Sequence, residues 1–73
     1  MSTAQTLALR GEHITLAQAL KAVGASSTGG HAKIMVRNGD ATVNGVLELQ
    51  PGRKLHVGDR FGCLEGGEWT IIR

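Results

Sequence analysis

Apolar side chains recur at helical spacing in the first third of the chain, at Leu16, Ala19, Leu20 and Val23. Positions spaced by three and four residues lie on one face of an α-helix. Thr15 precedes this run and Gln18 follows it by three residues, which is the capping-box arrangement of a helix start. Gly24 is a typical helix stop. The pattern therefore predicts a first helix between Thr15 and Gly24.

A second helix is predicted between Thr28 and Gly39, only a short connection further on. Thr28 is a suitable N-cap, and Gly39 is suited to the left-handed residue that ends many helices. One face of this helix would carry its apolar residues, Ala32, Met35 and Val36. Another face would carry Gly30, Lys33 and Arg37. We expect the first face to lie against a core and the second to present two cations.

Alternation of apolar and polar residues predicts strands on both sides of the helices. Leu7 and Leu9 alternate within Thr6–Arg10, and Ala41 and Val43 alternate after Gly39. Asn44-Gly45 is the strongest two-residue signal for a type I′ hairpin turn. The predicted later elements are a return strand at 46–49, a turn at 50–52, strands at 54–57 and 60–64, a turn at 65–68 and a strand at 69–72.

These elements together predict an α+β fold, in which two short helices pack on one face of a small, mostly antiparallel sheet. At 73 residues the chain has the size of a single domain with one small core. We expect this domain to span residues 1–73, with its core at about 7–72 and with residues 1–5 frayed.

The charge balance is mildly basic, with eight Lys and Arg against six Asp and Glu, a net charge of +2 and a pI near 9.2. The positive residues concentrate between Thr28 and Arg60, where they are Lys33, Arg37, Arg53, Lys54 and Arg60. The overall charge is equally consistent with a solubility effect.

Several chemistries lack their residues in this sequence. Cys63 is the only cysteine, so an internal disulfide is excluded and a buried structural thiol is favoured over a reactive one. The three histidines, His13, His31 and His56, are too widely spaced for a metal motif. No phosphate-binding glycine signature and no nucleophile or carboxylate pair suited to catalysis occurs. We predict a protein that is not an enzyme and that uses no cofactor, metal or small-molecule substrate.

No apolar run in the sequence approaches the length of a signal peptide core or of a membrane span. Together with the single cysteine, this predicts a cytoplasmic protein that does not enter a membrane.

The start of the second helix is a candidate anion site. Ser26, Ser27 and Thr28 precede it, and Gly29 and Gly30 would let a ligand approach the backbone N–H groups. Lys33 and Arg37 would extend this positive surface, and Arg53 and Lys54 would join it if the Pro51 turn folds beside the helix. The alternative interpretation is that Thr28 only caps the helix and that the cations are only solvated.

The order Thr28-Gly-Gly-x-Ala-Lys-x-Met-Val36, Gly39, Val43-Asn44-Gly45, Pro51 and Val57-Gly58-Asp59 resembles the S4 RNA-binding domain family. Its small stand-alone bacterial members are the most similar. The resemblance covers residues 14–61 and implies the S4-like fold with its αL motif. The larger family usually has Ser-Arg at Thr28-Gly29 and Arg-Leu-Asp at Thr15-Leu16-Ala17, so the RNA contacts of those arginines do not carry over to this chain.

Residues and resemblance together predict RNA binding by Thr28, Gly29, Gly30, His31, Lys33, Arg37, Asn38, Asn44, Arg53 and Lys54. For Asn44, a role in the turn is the stronger interpretation. The two aromatics, Phe61 and Trp69, fall in core-like strands, which argues against a platform for stacked bases. We therefore expect a monomer that recognises structured RNA through phosphates and ribose hydroxyls. The candidate partners are ribosomal RNA or tRNA and the ribosome. The candidate context is translation.

The competing hypothesis is a small protein-interaction adaptor, ubiquitin-like or ribosome-associated, that does not bind RNA directly. The chain ends in Ile71-Ile72-Arg73 and lacks the Gly-Gly terminus that ubiquitin-like carriers activate.

Overall fold

The structure is a computed structural model that describes residues 5–64 and 66–73. Its elements follow the chain as β1 Gln5–Ala8, β2 Ile14–Thr15, α1 Leu16–Ala22, α2 Gly29–Arg37, β3 Ala41–Val43, β4 Val46–Leu47, β5 Lys54–Leu55, β6 Arg60–Cys63 and β7 Gly67–Ile72. The predicted α+β fold, with two helices and a mostly antiparallel sheet, is confirmed.

Both helices begin and end as the sequence predicts. Thr15 caps α1 by accepting from the Gln18 N–H at 3.2 Å, and the Gln18 side chain accepts from the Thr15 N–H at 3.1 Å, which completes the capping box. Thr28 caps α2 by accepting from the His31 N–H at 3.0 Å. Gly39, at φ +84°, ends α2 in a Schellman motif with the Asp40 N–H bonded to the Met35 carbonyl.

The hairpin between β3 and β4 has the predicted turn. Asn44 and Gly45 adopt φ values of +53° and +82°, and a type I′ turn requires positive φ at both positions. Val43 pairs with Val46 directly before and after the turn. Leu47 ends β4, so the return strand is shorter than the predicted 46–49.

The main sheet has the order β1-β7-β6-β3-β4, and β2 pairs with β5 in a separate two-stranded sheet. All neighbours in the main sheet are antiparallel except β1, which runs parallel to β7. β1 begins at Gln5, and β7 begins at Gly67 rather than at the predicted Trp69. Of residues 1–5, which were expected to be frayed, Gln5 lies in β1. Residues 1–4 and the Glu65 position of the predicted 65–68 turn lie outside the described residues.

The core lies between the helices and one face of the main sheet. Its fully enclosed side chains include Phe61, Leu16, Leu20, Leu55, Ile71 and Val36. Ala32 is also completely buried, as its place on the apolar face of α2 predicts, whereas Met35 is only half-buried. Cys63, predicted as a buried thiol, is half-buried as well. The region around Met35 and Cys63 is therefore less completely covered than the rest of the core.

Candidate nucleic-acid interface

The start of α2 is open. Within residues 5–64 and 66–73, the N–H groups of Gly29 and Gly30 donate to no other protein group. A Cβ placed on either glycine meets no atom within 4 Å. These two N–H groups point away from the helix body, as the first N–H groups of any helix do, and carry the positive end of its dipole. An anion can therefore reach them.

The start of α1 is closed by comparison. The Leu16 N–H bonds to the Arg53 carbonyl at 2.9 Å, and the Ala17 N–H bonds to the Pro51 carbonyl at 3.1 Å. With Gln18 bonded to the Thr15 hydroxyl, the first turn of α1 has its donors satisfied. Only the start of α2 keeps donors available for a ligand among the described helices.

A groove of about 360 Å³ runs between the two helices and the Pro51-Gly52 turn. Gly29 and Lys33 line it from α2, and Lys21 lines it from α1. The condition set by the sequence, that the Pro51 turn folds beside α2, is therefore met. We define the groove cations as Lys21 and Lys33.

Lys21 was not predicted to belong to the site. The sequence places it on the polar side of α1, where a solvated face is the simplest interpretation. The packing of α1 against α2 turns that side towards Lys33. No local sequence pattern encodes this meeting, because it depends on how the two helices pack.

Lys33 and Arg37 are exposed and lie one helical turn apart on α2. Neither forms a salt bridge within the part of the chain that the structure describes. Arg37 also stands in the last turn of α2, where a cation stabilises the helix dipole. Asn38 is the C-cap of the same helix and is exposed. The predicted stripe of positive charge therefore exists, with its charges available to a ligand.

His31 is tied into the loop that precedes α2. Its Nδ1 lies 3.0 Å from the hydroxyl of Ser26, which is buried, and the same hydroxyl lies 2.8 Å from the Thr28 carbonyl. Two oxygens this close require the hydroxyl hydrogen between them, so Ser26 donates to Thr28 and His31 Nδ1 donates to Ser26. Nε2 is then an acceptor in the neutral ring, and it donates to a phosphate only in the imidazolium form.

Arg53 and Lys54 differ in how much of their charge is available. Arg53 Nη1 contacts Glu48 Oε1 at 2.7 Å, and the other Glu48 oxygen accepts from the Gln50 N–H at 3.2 Å. Arg53 is therefore partly neutralised. Lys54 is exposed on β5, opposite Thr15, and forms no salt bridge to another described residue.

The Asn44 side chain is engaged within the protein. Its Nδ2 donates to Asp59 Oδ1 at 3.2 Å, and its Oδ1 accepts from the Arg60 N–H at 2.9 Å. Asp59 also accepts from the His56 N–H at 2.8 Å. That backbone hydrogen bond, helped by Asn44 and opposed by partial burial, holds the pKa of Asp59 below its ordinary value of 3.8. Asn44 and Asp59 therefore tie the hairpin turn to the turn before β6.

The described residues were also compared with the requirements of a metal site and of a membrane span. No group of three or more His, Cys, Asp or Glu side chains among them is arranged to hold a metal ion. Neither of the helices described has the length and apolar character needed to cross a membrane.

The fold and this surface together define a small α+β module with an open helix start, flanked by cations. The S4 domain family matches residues 7–72 of the chain. The protein therefore belongs to the S4 domain family, whose members are RNA-binding modules without catalytic activity of their own. No curated protein matches the sequence.

Proposed function

We propose that this protein binds structured RNA through phosphate and ribose contacts, with the start of α2 as the centre of the interface. One observation carries the proposal: the open N–H groups of Gly29 and Gly30 stand beside a groove that holds Lys21 and Lys33. A helix start and adjacent lysines are complementary to the phosphates of a nucleic-acid backbone.

The remaining contacts follow from the availability of each side chain. Lys33 and Arg37 carry the charge outward along α2, with Asn38 at its end. Exposed Lys54 follows the Pro51-Gly52 turn that borders the groove. His31 donates to a phosphate only in its charged form, because Nε2 of the neutral ring is an acceptor. Arg53 and Asn44 contribute less, because Glu48 partly neutralises Arg53 and Asp59 holds the Asn44 amide.

Structured RNA is the favoured ligand because the cations and N–H groups of this surface recognise the charge and shape of an RNA backbone. Phosphates and 2′-hydroxyls across helical grooves supply contacts that need no particular sequence. We propose ribosomal RNA or tRNA as the ligand. The protein would act as a cytoplasmic monomer, in translation or on the ribosome.

The test is binding of fluorescently labelled RNA hairpins, single strands and DNA duplexes of equal length, followed by anisotropy over a range of salt concentrations. We expect the RNA hairpin to bind most tightly and log affinity to fall linearly with log salt. Crosslinking in cells, followed by sequencing of the attached RNA, would identify the natural target. Equal binding of all three nucleic acids, or none, would contradict the proposal.

A protein-interaction adaptor is the second candidate, and one observation favours it. Val46, Leu47 and Leu49 are all more than half exposed along the β4 edge of the main sheet. Exposed apolar groups at a sheet edge suit pairing with a partner protein. Capture of a purified ribosomal protein with no binding to RNA, abolished by Val46→Lys, would favour this function over RNA binding.

A further inference from the structure

A second cavity, of about 530 Å³, lies on the other side of α2 from the groove cations. Its lining includes His31 and Met35 from α2, Cys63 and Trp69 from the sheet, and Val23 and Asp40 from the connections. His31 and Met35 are on the opposite side of the buried stripe of α2 from Gly29 and Lys33. We call this space the Trp69 cavity.

Trp69 forms a fixed aromatic wall. The ring is half-buried and stacks on Phe61, with 5.6 Å between ring centroids and 19° between ring planes. Phe61 is completely buried, so it holds the indole in place from one side. The sequence suggested that both aromatics belong to the core, yet Trp69 also lines an open cavity. A planar ligand can make contact with this wall without rearranging the core.

Two side chains of the cavity, His31 and Asp40, offer acceptors, and the Trp69 indole N–H is a donor. Because His31 Nδ1 donates to Ser26, only Nε2 is left for a ligand, and in the neutral ring it accepts. The Asp40 carboxylate is acceptor-only when ionised and, within the described residues, receives no side-chain hydrogen bond. A planar ligand that satisfies both acceptors must therefore present at least two N–H donors.

The position of the cavity relates it to the RNA surface. His31 lies directly after Gly29 and Gly30, whose free N–H groups are the phosphate site of the proposed function. His31 itself lines the Trp69 cavity, so the cavity begins within one helical turn of this phosphate site. Guanine, adenine and cytosine carry an amino group with two N–H donors, whereas uracil carries a single N–H.

We propose that the Trp69 cavity receives one unpaired, amino-bearing base of the bound RNA, which contacts the indole and donates to Asp40 and to Nε2 of His31. This inference rests on the proposed RNA binding and adds to it a subsite for a single extruded nucleotide. Single-stranded positions in structured RNA are the usual places where bases are splayed out and stacked on aromatic side chains.

Trp69 is the only tryptophan of the chain, so its fluorescence reports on this cavity in the unaltered protein. The probes are RNA hairpins that differ at one bulged position, which carries guanine, uracil or an abasic sugar. We expect the guanine bulge to quench Trp69 emission strongly and the abasic bulge to leave it unchanged. Affinity for the abasic hairpin should be about tenfold weaker, the scale of one base stacked on an aromatic ring.

Asp40→Asn is the matched variant, because it keeps the size of the side chain and removes one of its acceptors. It should reduce the preference for guanine over uracil while affinity for the abasic hairpin stays the same. Alkylation of Cys63, the only thiol, should slow when the guanine hairpin is bound and not when the abasic hairpin is bound.

The outcomes separate this inference from the proposed function. Equal affinity and equal Trp69 emission with guanine and abasic bulges would overturn the base subsite and leave phosphate binding in place. Failure of every RNA to bind would overturn both. Guanosine monophosphate that quenches Trp69 as tightly as the bulged hairpin would also overturn the inference, because the cavity would then be a site for a free nucleotide.

Discussion

The side-chain amide of Asn44 donates to the carboxylate of Asp59 at 3.2 Å and so joins two turns that are separate in the sequence. The Asn44 carbonyl oxygen accepts from the Arg60 N–H, which begins β6. Asn44 also occupies the left-handed region, at φ +53°, where asparagine is among the few non-glycine residues that are well tolerated. The residue is thus fixed by its backbone and by its side chain.

We expect Asn44→Ala to destabilise the protein by about 1–3 kcal/mol, because it strains the turn and removes two hydrogen bonds. Chemical denaturation measures the loss. RNA affinity measured at a temperature where the variant is fully folded should be close to that of the wild type. A stable variant with weakened RNA binding would instead make Asn44 a direct contact.

Asp59 should make stability depend on pH in the acidic range. The pKa of Asp59 in the folded protein is below the ordinary value of 3.8, so folding stabilises the ionised form of this side chain. The resulting stabilisation is fully present above the ordinary value and is lost as pH falls through the folded pKa. Denaturation midpoints measured between about pH 6 and pH 2 should show this loss, and Asp59→Asn should remove that part of the pH dependence. An Asp59→Asn profile identical in shape to that of the wild type would contradict it.

Neutralising the exposed stripe should weaken RNA binding and leave the fold intact. Lys33→Gln combined with Arg37→Gln should cost about 1–3 kcal/mol of binding free energy and reduce the salt slope by about one per lost phosphate contact. Stability should change by less than about 0.5 kcal/mol, because both side chains are exposed.

Two single variants serve as comparisons for the stripe. Lys21→Gln should also weaken binding, since Lys21 lines the groove with Lys33. Arg60→Gln removes the same charge at a control position. Arg60 alternates with the buried Phe61 on β6, so its side chain lies on the face of the sheet away from the core. RNA binding that responds equally to Arg60→Gln and Lys33→Gln would indicate a general charge effect and not an interface on α2.

Gly30→Glu should separate stability from binding. A carboxylate in the first turn of α2 favours the helix by about 0.3–1 kcal/mol, and Glu is a better helix former than Gly. Space is available, since a Cβ at Gly30 meets no atom within 4 Å. Thermal melting should therefore show equal or greater stability. RNA affinity and its salt slope should fall, because the new charge repels phosphate.

The controls for Gly30→Glu isolate charge and position. Gly30→Ala should favour the helix in the same way but weaken binding less. Gly11→Glu introduces the same charge at another glycine with open space around its Cβ and should leave binding largely unaffected. A folded Gly30→Glu protein with wild-type affinity and salt slope would place the RNA surface elsewhere.

Gly45→Val should destabilise the hairpin by roughly 1–3 kcal/mol, because a β-branched residue resists the positive φ of a type I′ turn. Gly45 has a φ of +82°. Gly45→Asn is the matched control and should cost less, since asparagine tolerates this region. Denaturation curves of the two variants decide the point, and equal midpoints would mean that the turn does not depend on this conformation.

The local features of this protein were determined by the sequence alone. The capping box of Thr15 and Gln18, the Thr28 cap and the Asn44-Gly45 turn depend on residues within three or four positions of one another, and their chemistry permits few alternatives. The open start of α2 belongs to the same group, because a helix leaves its first N–H groups free wherever it lies.

The tertiary structure decided which of these parts meet. Strand β1 pairs with β7 from the other end of the chain, and the hydrophobic pattern of either strand does not specify its neighbour or direction. Lys21 becomes a groove cation only because α1 packs on α2, and Glu48 reaches Arg53 only across the Pro51 turn. Trp69 has the alternation of a core residue, yet it lines a cavity because the packing at that end of α2 leaves space beside it. Contacts between distant residues depend on the packing of whole elements, which local periodicity does not determine.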